Sequence, residues 1–303
     1  MRRRLVVGSR RSRLALLQTE SIIARIREVN PDIEVSISKI VTTGDRHPRL
    51  GVAVFVKELE QALLEGRIDI AVHSLKDVPT ELPPGLCLLA VTERLDPRDA
   101  LVARAKLGEL NPGAKIGTGS LRRTAQLMGY RPDLRARPIR GNVDTRLGKV
   151  LSGEFDGVIV AAAAMLRLNW KDKITEFLPL EHFLPAAGQG ALAIEARLDG
   201  KEVAELVLPL NNSISWQGVT AERAFLHALG GGCRAPVAAL GVVSGNTLRL
   251  EDMVASISGQ KILRASQEGS ALSAEEMGAK LAEKMRGMGA VAIIAEARKS
   301  EKG

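Results

Sequence analysis

The stretch VTERLDPRDALVAR, residues 91–104, decides how the chain is divided. It is polar and carries Pro97 between two apolar runs, LCLLAV before it and DALVAR at its end. Short apolar runs of this kind alternate along the chain with helical patterns such as SRLALLQTESIIARIREVN, residues 12–30. This alternation predicts α/β layers rather than a β-sandwich or an all-helical bundle. We therefore predict that residues 91–104 lead the chain from one α/β unit to a second.

A second crossing is predicted at FLPAAGQGALAIEAR, residues 183–197, which has similar punctuation and could carry the chain back. Two crossings imply two lobes with a cleft between them. Beyond them, the candidate strands VAALGVV, TLRLEDMVAS and KILRASQ are joined by the turn signals SGN and SGQ, and an amphipathic helix follows near residues 273–286. The predicted domains are lobe 1, residues 1–92 and 191–212, lobe 2, residues 97–186, and a small α+β domain, residues 217–303.

The composition predicts an anionic partner. The net charge of +8 comes from 43 basic residues, 29 Arg and 14 Lys, against 35 acidic ones. Arginine binds carboxylate or phosphate through a planar fork of two hydrogen bonds, whereas lysine offers a mobile point charge. A nucleic acid is disfavoured, because aromatic residues make up only 3% of the chain and no zinc-finger spacing or basic helix array occurs.

Several other classes lack support in the sequence. The apolar run after MRRR is too short for a signal peptide and no segment is long enough for a membrane span, so we expect a cytoplasmic protein. Cys87 and Cys233 lie too far apart to form a disulfide framework, and the four histidines show no metal-ligand spacing. No phosphate-binding loop and no dinucleotide fingerprint occurs.

One candidate anion site is VVGSRRSRLAL, residues 6–16, which places Ser9, Arg10 and Ser12 between a strand and a helix. Free N–H groups and the helix dipole attract an anion there, and Arg10 would add a fork. The alternative is an N-cap at Ser12 with solvated arginines. The sequence leaves both interpretations open.

A second candidate is KIGTGSLRRTAQL, residues 115–127. Thr118 and Ser120 supply hydroxyl groups, and Arg122 with Arg123 falls in the first helical turn. Two basic residues there oppose the helix dipole, and a bound anion would offset that cost.

Further arginines accompany these two segments. In PIRGNVDTRLGKV, residues 138–150, Arg140 precedes a Gly-Asn turn, and Arg146, one turn into a helix, could equally form a surface salt bridge. Arg167 lies in the apolar helix AMLRLNW, where such a side chain more often snorkels to the surface.

The acidic candidate is HSLKDVPT, residues 73–80. A strand should end at His73 and Ser74, and Lys76 with Asp77 then occupies a turn. A carboxylate in this position could shuttle protons or balance a cation formed in a reaction. The alternative is an exposed ion pair of little energetic consequence.

The stretch LGGGCRAP, residues 229–236, sets Cys233 after three glycines. No histidine nearby would make it a Cys–His nucleophile. Either the glycines leave the backbone free to present the thiol after a helix, or they form the C-cap of that helix ahead of a buried cysteine.

Five motifs, HSLKDVPT, GTGSLRR, RGNVDTRL, LPAAGQGALAIE and GGGCRAPVA, occur in this order and together resemble the hydroxymethylbilane synthase (porphobilinogen deaminase) family. The resemblance implies two lobes of the periplasmic-binding-protein type around a cleft and a third, cofactor-anchoring domain. It implies a transferase that condenses four porphobilinogen molecules head to tail, releases ammonia at each step and hydrolyses off hydroxymethylbilane. A monomer without nucleic-acid or membrane partners is expected.

The resemblance also assigns residues. Asp77 falls on the catalytic aspartate, and Cys233 falls on the cysteine that holds a dipyrromethane cofactor through a thioether. Further cofactor contacts are implied for Ser74, Lys76, Thr118, Ser120, Arg122, Arg123 and Arg140. Contacts to substrate carboxylates are implied for Arg10, Ser12, Arg146, Arg167 and Gln189.

Two features depart from the family pattern. The segment RHPRLGVAV, residues 46–54, is shorter than the mobile lid of many members, although Phe55 after it is retained, and Arg13 stands where Pro is frequent. A two-lobed anion-binding protein without catalytic activity would also explain arginines at helix starts. It would not need Asp77 or a glycine-flanked Cys233.

Overall fold

The computed structural model describes residues 4–42, 56–230 and 235–300. The chain forms two compact units, Met1–Leu95 with Ala191–Trp216 and Asp96–Gly190 with Gln217–Gly303. The predicted lid segment, residues 46–54, lies outside the described residues, as do Phe55 and Cys233.

Helices and strands alternate through most of the chain. Before the first crossing the elements are β1 (Arg4–Arg10), α1 (Arg13–Val29), β2 (Glu34–Ile40), α2 (Lys57–Leu64), β3 (Ile70–Ser74) and β4 (Leu86–Val91). The next are β5 (Asp99–Ala103), β6 (Lys115–Gly117), α3 (Leu121–Tyr130), β7 (Arg135–Arg137), α4 (Val143–Leu151), β8 (Gly157–Ala161), α5 (Ala162–Arg167) and β9 (Glu176–Phe177). The last are β10 (Leu192–Arg197), α6 (Lys201–Val207), α7 (Ser213–Leu229), β11 (Val237–Ser244), β12 (Thr247–Ala255), β13 (Ile262–Ser270), α8 (Ala274–Gly287) and α9 (Ala290–Ser300).

The two α/β lobes have corresponding sheets. The strand order is β2-β1-β3-β10-β4 in the first lobe and β7-β6-β8-β5-β9 in the second. The first three strands of each order run parallel, and the fourth, β10 or β5, runs antiparallel to both of its neighbours. The two antiparallel strands lie within the segments predicted as crossings, β5 in residues 91–104 and β10 in residues 183–197.

Apolar periodicity explains the cores of both lobes. In the first lobe, Ile22 and Ile26 of α1 pack with Leu5 and Val7 of β1. In the second, the run GVIVA of β8 is buried at all of its positions, as expected for a strand covered on both faces.

The C-terminal region is a three-stranded antiparallel sheet, β11-β12-β13, with helices on one face. That face carries Leu248 and Leu250, which pack with Phe225 of α7 and Leu281 of α8. The strands at 237–244, 247–255 and 262–270 and the helix Ala274–Gly287 confirm the predicted elements.

The other face of this sheet packs against the second lobe. Leu240 and Met253 contact Ala125 of α3 and Leu184 in one apolar cluster. The turn after β12 approaches α3 so closely that a Cβ on Gly259 would lie 2.3 Å from the Gly129 nitrogen. The C-terminal sheet thus packs against α3, the helix whose first turn contains Arg122 and Arg123.

The prediction of an α/β protein with two lobes and a small α+β C-terminal region is confirmed. The division of the second unit into separate domains at residue 217 stays a prediction. No helix among the described residues combines the length and the apolar character that crossing a membrane requires.

Candidate functional site

The predicted residues of the first lobe meet at the carboxyl ends of two parallel strands. Gly8 of β1 is in register with Ala71 of β3, so both strands end at the same edge of the sheet. Beyond β3 the single 3-10 turn Leu75–Asp77 brings Lys76 and Asp77 to this edge, both partly buried. Ligands of open α/β sheets bind at such carboxyl edges.

Helix α1 orders this edge from one side. Gln18 donates from Nε2 to the Ser74 Oγ over 2.9 Å, and Thr19 donates to the Ser9 Oγ over 2.8 Å. Ser12 accepts a hydrogen bond from the Ala15 N–H, which confirms its interpretation as an N-cap.

A buried pair of ionisable groups joins β3, the strand that leads to Asp77, to its neighbour β10. His73 Nε2 is 3.0 Å from Glu195 Oε2, and both side chains are buried. Burial, reinforced by the charge of Glu195, raises the pKa of Glu60 on α2. The sequence analysis missed Glu195, which is a single acidic residue within the apolar strand β10.

In the second lobe, Thr118 and Ser120 lie between β6 and α3. The Thr118 N–H donates to the Arg137 carbonyl over 3.0 Å, and Ser120 caps α3. Gly119 lies so close to the segment that follows β7 that a Cβ on it would be 3.1 Å from the Ile139 carbonyl oxygen. This close approach places the two hydroxyl-bearing residues beside the segment that carries Arg140.

Arg140 and Arg146 lie on either side of the turn at Gly141 and Asn142. Arg140 is exposed, and Arg146 donates from Nε to the Gly141 carbonyl over 2.9 Å. Asn142 caps α4 by accepting from the Thr145 N–H, which fixes the start of the helix that carries Arg146.

Arg122 and Arg123 are buried around one carboxylate that the sequence analysis missed, Asp99. Arg122 donates from NH1 to Asp99 Oδ2 over 2.8 Å and to the Leu184 carbonyl over 2.6 Å. Arg123 donates to Asp99 Oδ1 from Nε over 3.0 Å and from NH2 over 2.7 Å. The anion predicted to offset two basic residues at this helix start is therefore supplied within the protein.

The protonation of Asp99 follows from these contacts. Burial by itself would raise the pKa of Asp99, but the charges of Arg122 and Arg123 reverse that effect and hold it well below the ordinary value. Burial lowers the pKa of Arg122, and the charge of Asp99 opposes this. The carboxylate therefore stays ionised and fixes both guanidinium groups before any ligand binds.

Gln189 and Arg167 extend this cluster. Gln189 donates from Nε2 to Asp99 Oδ1 and to the Pro97 carbonyl, each over 2.8 Å, and its Oε1 accepts from Arg123 over 3.4 Å. Arg167 donates to the carbonyl of the neighbouring Gly190 over 2.7 Å. The structure thus brings Arg122, Arg123 and Gln189 together around Asp99, with Arg167 bonded to the residue that follows Gln189.

Arg167 differs from Arg122 and Arg123 in its charge balance. Burial lowers the pKa of Arg167 to about 10, so it is still a cation at neutral pH. Within the described part of the chain, no carboxylate offsets this burial. An anionic ligand would do so, which favours Arg167 as a binding group over a purely snorkelling one.

The donor set suits a ligand with several carboxylates. Guanidinium groups, as at Arg140, Arg146 and Arg167, and hydroxyl groups, as at Thr118 and Ser120, are able to donate hydrogen bonds to the carboxylate oxygens of a ligand. Fold and site together define a two-lobed α/β protein with candidate anion-binding residues at strand carboxyl ends and a candidate acid–base group, Asp77.

Comparison with known proteins gives the family. The family model "Porphobilinogen deaminase, dipyromethane cofactor binding domain" matches residues 5–205, and "Porphobilinogen deaminase, C-terminal domain" matches residues 216–287. The porphobilinogen deaminase of Thermus thermophilus is 48% identical over 300 residues, covering 97% of this chain and 99% of that protein. The Bacillus subtilis porphobilinogen deaminase is 46% identical over 304 residues, covering 97% and 96%. The chain belongs to the porphobilinogen deaminase family, whose members are transferases with hydroxymethylbilane synthase activity in tetrapyrrole biosynthesis.

Among solved structures, the chain matches the methionine-binding protein MetQ at 12% identity and a TM-score of 0.44, covering 75% of this chain and 96% of that one. A periplasmic substrate-binding protein of an ABC transporter from Coxiella burnetii gives 13% identity and a TM-score of 0.44, covering 68% and 91%.

Proposed function

We propose that this chain joins four porphobilinogen molecules head to tail, releases ammonia at each addition and frees hydroxymethylbilane by hydrolysis. One structural observation carries the proposal. Asp77 follows β3 of the first sheet and the Thr118–Arg123 segment follows β6 of the second, so each lobe presents its predicted residues at the carboxyl end of a parallel strand. Family membership supplies the reaction.

We assign the catalytic role to Asp77. Loss of ammonia from porphobilinogen leaves an electron-deficient cation, and a nearby carboxylate stabilises it electrostatically. The same carboxylate can accept and return protons at pyrrole nitrogens. Ser74 and Lys76 flank Asp77 at this edge, and Gln18 orients the Ser74 hydroxyl.

The carboxylates of substrate and growing chain are assigned to Arg10, Ser12, Arg146, Arg167 and Gln189. Those of the cofactor are assigned to Ser74, Lys76, Thr118, Ser120, Arg122, Arg123 and Arg140. Arg122 and Arg123 already share Asp99, so they present a fixed guanidinium edge rather than mobile charges. Arg167 has no such internal partner among the described residues and would gain most from a bound carboxylate.

The match to a dipyrromethane-binding family model and the chemistry of these donors support the same cofactor here. We propose that a thioether to Cys233 holds it. When bound, dipyrromethane supplies the pyrrole to which the first porphobilinogen is joined. Cys233 follows α7 by four residues, after a glycine run. We further propose that the enzyme is a cytoplasmic monomer, which sedimentation of the purified protein and cell fractionation would test.

Replacement of Asp77 tests the proposal. Asp77→Asn should lower turnover by about 10²–10⁴-fold while leaving thermal unfolding unchanged, because it removes one charge at a partly buried turn. Asp133→Asn, which removes an exposed carboxylate that pairs with the partly buried Arg131, is the matched control and should keep wild-type turnover. Near-normal turnover of Asp77→Asn would remove Asp77 from the mechanism. A wild-type protein that binds porphobilinogen without converting it would instead indicate an anion-binding protein.

A further inference from the structure

Glu222 on α7 is a buried carboxylate that joins two backbone segments. Its side chain is fully buried, Oε2 accepts from the Gly188 N–H over 2.6 Å, and Oε1 accepts from the Gly241 N–H over 2.7 Å. Gly241 lies in β11, and Gly188 lies in the loop AAGQG, residues 186–190, which we call the 186–190 loop. One side chain thus ties this loop to a helix and a strand of the C-terminal region.

Three consecutive residues of the 186–190 loop form hydrogen bonds with different partners. Glu222 holds the Gly188 N–H, and the Gln189 side chain bonds Asp99 and Arg123. The Gly190 carbonyl accepts from Arg167. A shift of the loop would therefore move Gln189 and Gly190 together, and both contact arginines assigned to ligand carboxylates.

A role in stability alone does not explain why a carboxylate is buried at this position. Burying a carboxylate costs several kcal/mol before compensation, and apolar residues often fill such a position equally well or better. Both oxygens of Glu222 accept short hydrogen bonds from main-chain N–H groups, so the charge fixes backbone positions on two sides at once. Fixed geometry matters most where a ligand must meet preset donors.

We propose that Glu222 is a positioning residue for the anion-binding arginines, acting through the 186–190 loop. The inference rests on the proposed function, since it assigns Arg123 and Arg167 to ligand carboxylates. A glutamine at position 222 has one oxygen and one NH2 group, so it can accept only one of the two N–H bonds. The NH2 group would face the other N–H, and the loop would shift.

A double-mutant cycle tests this role in the full-length holoenzyme. The variants are Glu222→Gln, Gln189→Ala and the double variant, with Glu276→Gln, from the exposed Glu276–Lys280 pair, as control. We expect Glu222→Gln to raise the KM for porphobilinogen about tenfold, the effect of losing one hydrogen bond to a charged group. We expect its dipyrromethane content, measured by intact mass, to fall below that of the control. In the Gln189→Ala background, Glu222→Gln should add little to either change.

A Glu222→Gln variant that lowers only the melting temperature, with KM and cofactor content unchanged, would overturn the role of Glu222. Changes in KM and cofactor content that simply add to those of Gln189→Ala in the double variant would overturn it as well. If Glu222→Gln does not fold, Glu222→Asp replaces it in the cycle, since the shorter carboxylate keeps the charge and loses reach to one N–H. Additivity there would overturn the role equally. A wild-type protein that makes no hydroxymethylbilane would contradict the proposed function, whereas active wild type with additive variants contradicts only this inference.

Discussion

Arg123 donates two hydrogen bonds to Asp99, from Nε over 3.0 Å and from NH2 over 2.7 Å, and both side chains are buried. Arg122 also donates hydrogen bonds to the Asp99 carboxylate, from both of its terminal nitrogens. The two arginines at the start of α3 therefore hold their positions through an internal counter-charge. A ligand that meets them does not have to order two long side chains, which lowers the entropic cost of binding.

Removal of this counter-charge should destabilise the protein strongly. Asp99→Asn leaves two buried guanidinium groups unbalanced, and we expect a loss of about 3–5 kcal/mol in the free energy of unfolding. Chemical denaturation measures it. Asp133→Asn, which removes an exposed carboxylate that pairs with Arg131, should change the free energy of unfolding far less than Asp99→Asn. Equal stability of the two variants would show that Asp99 does not balance the arginines.

Arg167 should matter to ligand binding more than to stability. Its buried cation has no internal carboxylate among the described residues, so Arg167→Gln should leave the melting temperature nearly unchanged. The KM for porphobilinogen should rise about tenfold or more, the worth of a charge-assisted hydrogen bond. The control is Arg249→Gln at the exposed Arg249–Glu251 pair. An unchanged KM with a lower melting temperature would assign Arg167 a structural role.

The free energy of unfolding should change with pH as Asp252 loses its proton. Burial, and then the charges of Glu222 and Glu251, raises the pKa of Asp252 well above its ordinary value. Neither carboxyl oxygen has a hydrogen-bond partner in the described part of the chain. An acid whose folded-state pKa is raised contributes stability below its unfolded pKa and loses it as pH rises towards the folded pKa.

Asp252→Asn removes this titration. We therefore expect it to match the wild type in acid and to exceed it in free energy of unfolding at neutral and alkaline pH. Denaturation at a series of pH values from about 3 to about 9, which begins below the unfolded-state pKa of an aspartate, measures the difference. Parallel pH profiles for the two proteins would contradict the assignment.

Docking of the C-terminal sheet should depend on Gly259. Its φ of +73° favours glycine, and a Cβ there would meet the backbone of α3 at Gly129. Gly259→Ala should therefore cost about 1–3 kcal/mol or more. Gly287→Ala, at the end of α8 with open space around it, should be neutral or slightly stabilising. A Gly259→Ala variant as stable as Gly287→Ala would show that the close approach to α3 is not required.

Local patterns predicted much of the fold and part of the site. Apolar runs bounded by Pro and Gly gave β4 and the three C-terminal strands, because strand and turn signals act over a few residues. Ser12 and Ser120 were readable as helix starts for the same reason. Asp99, Glu195 and Glu222 were not readable, since each is a single acidic residue whose partners lie far away in sequence. Asp99 and Arg122 are 23 positions apart in the sequence, and Glu222 and Gly188 are 34 positions apart.

We propose above all that Cys233 carries a covalent dipyrromethane in the working enzyme, and the intact mass of the purified active protein tests this claim. We expect a mass above that of the sequence by one dipyrromethane, located by peptide mapping on Cys233 and absent from Cys233→Ser. A fully active protein with the mass of its unmodified sequence would contradict the claim.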